Sequence, residues 1–188
     1  MQTSNAPTVT LRAMEPEDLD ALYRIENDRQ LWNIGSTNVP YSRYALHNYI
    51  ADAKNDIYID GQIRMMIENE GGIVVGVIDL VNFDAKHQRA ELGIIIMEQY
   101  RRQGYAKAAI LKLIQYARNV LHLNQIYAVV AVDNTNSRHC LTSLGFSSGA
   151  RLQRWLCSED KICGISFLLL SLHSQNRNGA LISNALVR

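Results

Sequence analysis

The feature that most constrains this chain is a short glycine-containing turn that joins an apolar segment to a long amphipathic one. Residues 89–97 are rich in β-branched and apolar side chains, including three consecutive isoleucines, which predicts a strand buried on both faces. Beyond the turn, apolar residues recur at spacings of three and four, namely Ala106, Ala109, Ile110, Leu113, Ile114, Ala117, Val120 and Leu121. This period predicts a single helix that begins directly after the turn.

The turn itself, residues 101–106, reads Arg-Arg-Gln-Gly-Tyr-Ala. A strand, a turn and a helix N-terminus place unpaired backbone N–H groups and the positive end of a helix dipole at one point, which suits phosphate. Gly104 lets the backbone approach an anion closely, and the small Ala106 lets the first helical turn pack against its neighbour. The turn fits neither G-x-G-x-x-G nor G-x-x-x-x-G-K-[ST], the two common nucleotide patterns. It is therefore predicted to bind an anionic ligand of another kind.

A second segment downstream has a related order of strand, turn and helix. Residues 125–132 alternate as a strand does, and an asparagine-containing turn and a short helical segment follow. Asn134 is suited to cap that helix, and Gly145 is suited to end it just before Phe146.

Together the two segments resemble the GCN5-related N-acetyltransferases. The turn has the form R-x-x-G-x-A, a variant of that family's pyrophosphate-binding signature, and Asn134, counted back from Gly145, falls at its CoA-contacting asparagine. The resemblance extends over residues 9–172 and includes an opening strand and a helix that starts at Pro16. It points to the branch that holds bacterial spermidine N-acetyltransferases and the enzymes that acetylate ribosomal-protein N-termini. The isoleucine run and the spacing to Asn134 favour the spermidine side.

The resemblance implies an α+β fold with a mixed, mostly antiparallel sheet of six to seven strands, splayed between its two central strands and flanked by about four helices. It also implies acetyl-CoA as co-substrate and direct acetyl transfer to an amine without an acyl-enzyme. The residues expected to hold acetyl-CoA are Ile94, Ile95, Ile96, Met97, Arg101, Arg102, Gln103, Gly104, Tyr105, Ala106, Lys107, Asn134 and Ser137.

The remaining periodicity agrees with a mixed fold in which strands outnumber helices. Residues 16–27 and 42–53 read as helices, and residues 62–68 and 72–83 read as a hairpin. The other predicted strands are residues 9–12, 150–157 and 162–172.

The chain departs from the resembled family at the general acid. The spermidine enzymes place a tyrosine four residues before the glycine of the Leu-Gly-Phe ending, and this chain has Leu141 there. A leucine has no proton to give to a departing thiolate. Either water serves, or another group such as Ser137, Cys140 or Tyr105 does, or catalysis is lost and the protein is a non-catalytic acyl-CoA sensor.

Two carboxylates on predicted strands are candidates for the general base. Glu91 is the first choice, because its position on the central strand lets it order a water molecule that faces the amine. Asp79, on the preceding strand, is the second. A structural role for either residue is the competing interpretation.

The acceptor amine is expected at the segment between the first two helices, residues 28–44. Trp32 and Tyr41 are predicted to line a pocket, and Glu26 and Asp28 to attract a cationic amine. The middle of the segment lacks the carboxylates that would grip a polyamine. A polyamine, a peptide N-terminus and another small amine therefore all stay open as acceptors.

Composition narrows the class of protein. The net charge is +1, with 19 basic and 18 acidic residues, which gives no global attraction to nucleic acid or to an anionic membrane. No apolar run approaches the roughly 20 residues of a membrane span, and the polar N-terminus has no signal-peptide core, so we expect a cytoplasmic protein.

The length of the chain predicts a single enzyme domain over residues 1–173. The three cysteines, Cys140, Cys157 and Cys163, have neither zinc nor disulfide spacing and are expected to be reduced and partly buried. Residues 174–188 are predicted to be either a frayed tail or a segment that packs on a second subunit of a homo-oligomer.

Overall fold

The computed structural model describes residues 7–29, 39–158 and 161–172. These residues build one seven-stranded sheet in the order β1-β2-β3-β4-β5-β7-β6. All neighbours are antiparallel except β4 and β5, which run parallel. The strands are β1 (Val9–Arg12), β2 (Ile63–Asn69), β3 (Val74–Asp84), β4 (Arg89–Ile96), β5 (Gln125–Ala131), β6 (Ser147–Ser158) and β7 (Lys161–Ser171). The predicted α+β class and its mixed, mostly antiparallel sheet are confirmed.

Five α-helices lie in the described residues: α1 (Leu19–Glu26), α2 (Arg43–Asp52), α3 (Ile57–Asp60), α4 (Tyr105–Asn119) and α5 (Thr135–Ser143). Two 3₁₀ turns, Pro16–Asp18 and Glu98–Tyr100, precede α1 and the glycine turn. Helix α3 was not predicted, because one helical turn is too short to show a period. No helix of the described part of the chain is long and apolar enough to cross a membrane.

The sheet carries a hydrophobic core on each face. The larger core packs under α4 and α5, and the smaller one packs under α1 and α2. The predicted stripe of α4 is confirmed for the residues that are buried: Ala109, Ile110, Leu113, Ile114 and Ala117. Val120 was wrongly placed in that stripe, because it ends the helix and is 58% exposed.

Strand β4 is less buried than its sequence predicts. Ala90 and Leu92 are buried, but Ile94, Ile95 and Ile96 are only half-buried. The reason is that β5 pairs with β4 only at its first three residues, Arg89–Glu91, after which the two strands separate. The prediction of a strand covered on both faces was wrong there, and the predicted splay between the central strands is confirmed.

Two predictions fall outside the described residues and stay predictions. One is the role of the tail, residues 174–188. The other is the pocket role of Trp32.

Candidate functional site

The separation of β4 from β5 exposes one edge of β4. The Met97 N–H donates to the carbonyl oxygen of Val75 on the β3 side at 2.9 Å. Because antiparallel backbone groups alternate in direction, Leu92, Ile94 and Ile96 direct theirs toward β5. The β5 ladder stops at Tyr127, so no strand among the described residues pairs with β4 there. This edge can accept an extended ligand as a strand would.

A second distortion shapes the same strand from the other side. Gly76 lies at a bulge in β3, where the β2–β3 register shifts by one residue. A Cβ at Gly76 would lie 2.1 Å from the carbonyl oxygen of Ile95, so only glycine permits this approach of β3 to β4. Bulges bend and twist strands, so this one sets the local course of β3 beside the end of β4.

The predicted anion turn follows directly. Arg102 and Gly104 adopt the left-handed backbone region, with φ of 64° and 91°. The Arg101 guanidinium donates from Nε to the carbonyl oxygen of Ile96 at 2.9 Å, which ties the turn to the open edge of β4. Gln103 donates from Nε2 to the carbonyl oxygen of Gln99 at 2.8 Å and closes the turn on itself.

Helix α4 begins at this turn with its amide groups available. Gly104 is the N-cap, and as a glycine it has no side chain to cap the first turn of the helix. The N–H groups of Tyr105, Ala106 and Lys107 belong to that turn, and the exposed side chains of Arg102 and Lys107 add positive charge. Uncapped amides, the helix dipole and two cations suit a diphosphate.

The second motif comes close to the first. Asn134 caps α5, because its Oδ1 accepts the backbone N–H of Ser137 at 3.1 Å. Since the oxygen serves the helix, the amide NH₂ is the group of Asn134 that can donate to a ligand. Arg102 and Asn136 are 3.5 Å apart, from Nη1 to Oδ1, so the glycine turn and α5 lie side by side.

Leu141, at the position of the family's tyrosine, belongs to the larger core and is 4% exposed. The alternative acids differ in their surroundings. Cys140 is half-buried, and burial raises the pKa of its thiol, which keeps it protonated and argues against a nucleophilic role. Tyr105 packs edge-on against Tyr100, with ring centroids 6.1 Å apart. Of the other cysteines, Cys163 is half-buried, whereas Cys157 is exposed, contrary to the prediction.

Glu91 stands where the two central strands part. It is the last residue of β4 in the ladder with β5, opposite Tyr127. Its Oε2 accepts from Asn82 Nδ2 at 2.8 Å, and Asn82 has a left-handed backbone, φ 51°, at an irregularity in β3. Burial, followed by the charge of Glu91, raises the pKa of Tyr127. Sequence reasoning missed Asn82 and Tyr127, although a polar Asn within an apolar strand was a signal.

Asp79, the second candidate base, lies in a buried ion-pair cluster. Arg64 donates from Nε and Nη2 to the two oxygens of Asp79, at 2.8 and 2.9 Å, and from Nη1 to Oε1 of Glu26 at 2.5 Å. Burial opposes the charge of Arg64, but Asp79, Tyr49 and Glu26 outweigh that cost, and its pKa lies above its ordinary value. Glu26, predicted to attract the amine, is thus bound to a cation of the protein itself. Sequence reasoning missed Arg64.

Hydrogen bonds join the two ends of the predicted acceptor segment, at Asn27 and Tyr41. Asn27 accepts the backbone N–H of Tyr41 at Oδ1, at 2.8 Å, and donates from Nδ2 to the carbonyl oxygen of Tyr41 at 3.1 Å. Tyr41 also packs partly buried against the smaller core. Asp28 follows Asn27 directly, so it stands at the entrance of the segment.

Comparison with known proteins agrees with this geometry. A model of the acetyltransferase (GNAT) domain matches residues 8–147. A spermidine N(1)-acetyltransferase of Vibrio cholerae is 27% identical over 139 residues, 73% of this chain and 78% of that protein. A putative ribosomal N-acetyltransferase of Bacillus subtilis is 30% identical over 142 residues, 73% of this chain and 77% of that protein.

Solved structures agree as well. The crystal structure of the Vibrio cholerae spermidine N-acetyltransferase with CoA and spermine superposes with a TM-score of 0.79 at 24% identity, covering 88% of this chain and 96% of the other. At that identity the likeness shows the fold. The domain match covers most of the chain, and the open β4 edge and uncapped α4 fit acetyl-CoA. The chain therefore belongs to the GNAT acetyltransferase family, and its co-substrate is acetyl-CoA.

Proposed function

We propose that this protein moves an acetyl group directly from acetyl-CoA to the primary amine of a polyamine, a peptide N-terminus or another small amine. The observation that carries the proposal is the gap between β4 and β5, which opens beside the anion turn and ends at a carboxylate, Glu91. Cofactor and acceptor can then meet at one point of one strand.

The cofactor is held by backbone groups. The pantetheine arm pairs with the open edge of β4, from Leu92 to Ile96, and one N–H of that edge polarises the thioester carbonyl. The diphosphate lies on the turn of residues 101–107, with Asn134 and Ser137 on the neighbouring helix. Preorganised N–H groups stabilise the developing oxyanion without having to reorient during the reaction.

The proton transfers fall to groups near the gap. The neutral amine attacks the carbonyl carbon, a C–N bond forms and the C–S bond breaks. Glu91, fixed by Asn82, orders a water molecule that passes the proton of the amine to the Glu91 carboxylate. The leaving thiolate receives its proton from water, because Leu141 cannot supply one.

The acceptor approaches from the face of the sheet that α1 and α2 cover. Glu26, Asp28 and Asp79 supply negative charge on that face, and Arg64 offsets part of it. The net negative charge that remains suits a single ammonium group. A spermidine N(1)-acetyltransferase among the relatives makes spermidine the first acceptor to test.

The setting and assembly of the protein follow as proposals of the same kind. We place it in the cytoplasm, where acetyl-CoA and small amines are available. A dodecameric structure exists for the Vibrio cholerae enzyme, which supports a homo-oligomer here. Light scattering of the full chain and of a version lacking residues 175–188 tests both the assembly and the tail's part in it.

A free-thiol assay tests the function. Acetyl-CoA is offered with spermidine, spermine, amino acids and short peptides, and release of CoA with one of them is expected.

The buried leucine at position 141 favours one alternative, a non-catalytic acyl-CoA sensor. Both proteins would bind CoA and melt at a higher temperature with it. Binding without thiol release for every amine would decide for the sensor.

A further inference from the structure

The Arg64 cluster joins four separate elements. Arg64 stands on β2, its two carboxylate partners stand on β3 and α1, and its guanidinium lies over the ring of Tyr49 of α2, 5.5 Å from the centroid. The side chains of Arg64, Asp79 and Glu26 are 20%, 12% and 14% exposed. One residue thus fastens both helices of this face to the sheet.

The cluster lies beside β4, the strand that borders the gap. Asp79 is the cross-strand neighbour of Gly93, and a Cβ at Gly93 would lie 3.4 Å from Oδ2 of Asp79. Gly93 precedes Ile94, one of the residues that direct their backbone groups into the gap. The carboxylate of Asp79 therefore occupies the space beside Gly93 that a side chain at that position would need, at the margin of the gap and on the face from which the amine approaches.

The cluster also reaches the acceptor segment. Glu26 is the last residue of α1, and Asn27, the next residue, holds both backbone groups of Tyr41. Because Arg64 holds Glu26, it fixes the end of α1 from which that segment starts. A guanidinium holds its carboxylate partners through hydrogen bonds of fixed direction, and a lysine ammonium cannot reproduce that geometry.

We propose that Arg64 is the positioning residue of the acceptor site: it holds Asp79 beside Gly93, and through Glu26 it fixes the C-terminal end of α1, where Asn27 binds Tyr41. The three charges sum to −1, so the cluster attracts an ammonium group while Arg64 keeps the carboxylates in place. The proposal rests on the proposed function for its kinetic consequence, and on the ion pairs alone for its structural one.

The kinetic test replaces Arg64 by lysine, which keeps the charge and loses the fork. The amine KM is expected to rise roughly tenfold while the acetyl-CoA KM stays within about twofold, because only acceptor positioning is lost.

A matched control exists on β1, away from the gap. There Arg12 donates to Asp18 at 2.6 and 2.9 Å and to Glu68 at 2.7 Å. Arg12→Lys should leave both KM values unchanged even if it lowers the melting temperature. Equal changes in both KM values for Arg64→Lys, or none, would overturn the proposal.

A second measurement needs no turnover. Amide exchange by NMR reports the hydrogen-bonded N–H groups of Asn27, Asp28 and Tyr41. Arg64→Lys should speed their exchange several-fold and Arg12→Lys should not, in the presence and absence of CoA. Unchanged protection in Arg64→Lys refutes the anchoring. If the unaltered protein acetylates no amine, the proposed function fails, and the exchange data still decide on Arg64.

Discussion

The two sides of the gap are built by different means. On the side that we propose for acetyl-CoA, here called the cofactor side, the anion turn and the β4 edge offer mainly backbone N–H and C=O groups, shaped by Gly76 and Gly104. On the side that we propose for the amine, here called the acceptor side, the groups are side chains from β2, β3 and α1, brought together across long stretches of sequence. A site made of backbone needs particular sizes and turns, whereas a site made of charges needs particular partners. The cofactor side should therefore be most sensitive to added atoms, and the acceptor side to altered charge.

Gly104→Val should give the largest effect. The residue has φ of 91°, and a Cβ would lie 2.9 Å from Cδ of Pro7, so valine would displace the turn. We expect CoA affinity to fall roughly a hundredfold or more, about 2.7 kcal/mol, by isothermal titration. The matched control is Gly72→Val, since Gly72 also has a positive φ, 71°, but no atom within 4 Å of its Cβ. Equal binding losses in both variants would show that strain alone is responsible and would break the comparison.

Glu91→Gln tests the meeting point of the two sides. If Glu91 orders the water that accepts the proton, kcat should fall by roughly 10²-fold while CoA affinity is unchanged. Steady-state kinetics with the best acceptor and CoA titration measure the two quantities. Asn82→Ala, which removes the amide that holds the carboxylate, should give a smaller loss of kcat. An unchanged kcat in Glu91→Gln would remove the residue from the mechanism.

Leu141→Tyr asks whether a hydroxyl on the cofactor side restores an acid. Leu141 is buried, so a larger ring is expected to lower stability by about 1–3 kcal/mol. Leu141→Phe serves as the control, because phenylalanine has nearly the same volume as tyrosine and lacks the hydroxyl. A several-fold higher kcat for Tyr than for Phe, with similar melting temperatures, would show that the site lacks only the proton donor. Equal rates would show that water already suffices.

Asp28→Asn should give the smallest effect. In a high-dielectric setting, the loss of the Asp28 charge weakens the interaction with an ammonium group by about 1 kcal/mol or less. The amine KM should therefore rise roughly two- to fourfold. The acetyl-CoA KM should not change, and added salt should reduce the difference between the two proteins. A larger effect on acetyl-CoA than on the amine would contradict the division of the two sides.

The elements of the fold were largely predictable, because their signals are local. Helix α4 was recognised from its period, with the exception of Val120 at its end. Strand β4 was recognised, but its burial was overestimated, since composition cannot show that β5 leaves it after Glu91. The one-turn helix α3 gave no readable period.

The candidate site divides in the same way. The left-handed turn at Gly104 and the helix cap at Asn134 were predictable because turns and caps require particular residues at particular spacings, whereas their role in binding stays a prediction. Arg64 was missed because an arginine on a strand gives no sign of its partners, which lie 38 residues before it and 15 residues after it.

The sequence by itself determined the family, the co-substrate and the glycine turn that begins α4, since backbone conformation is encoded by neighbouring residues. Only the tertiary structure decided that Leu141 is core, that Asn82 holds Glu91 and that Arg64 binds Glu26 and Asp79. Those contacts depend on strand register and on how the helices pack on the sheet, and no local stretch of sequence specifies either.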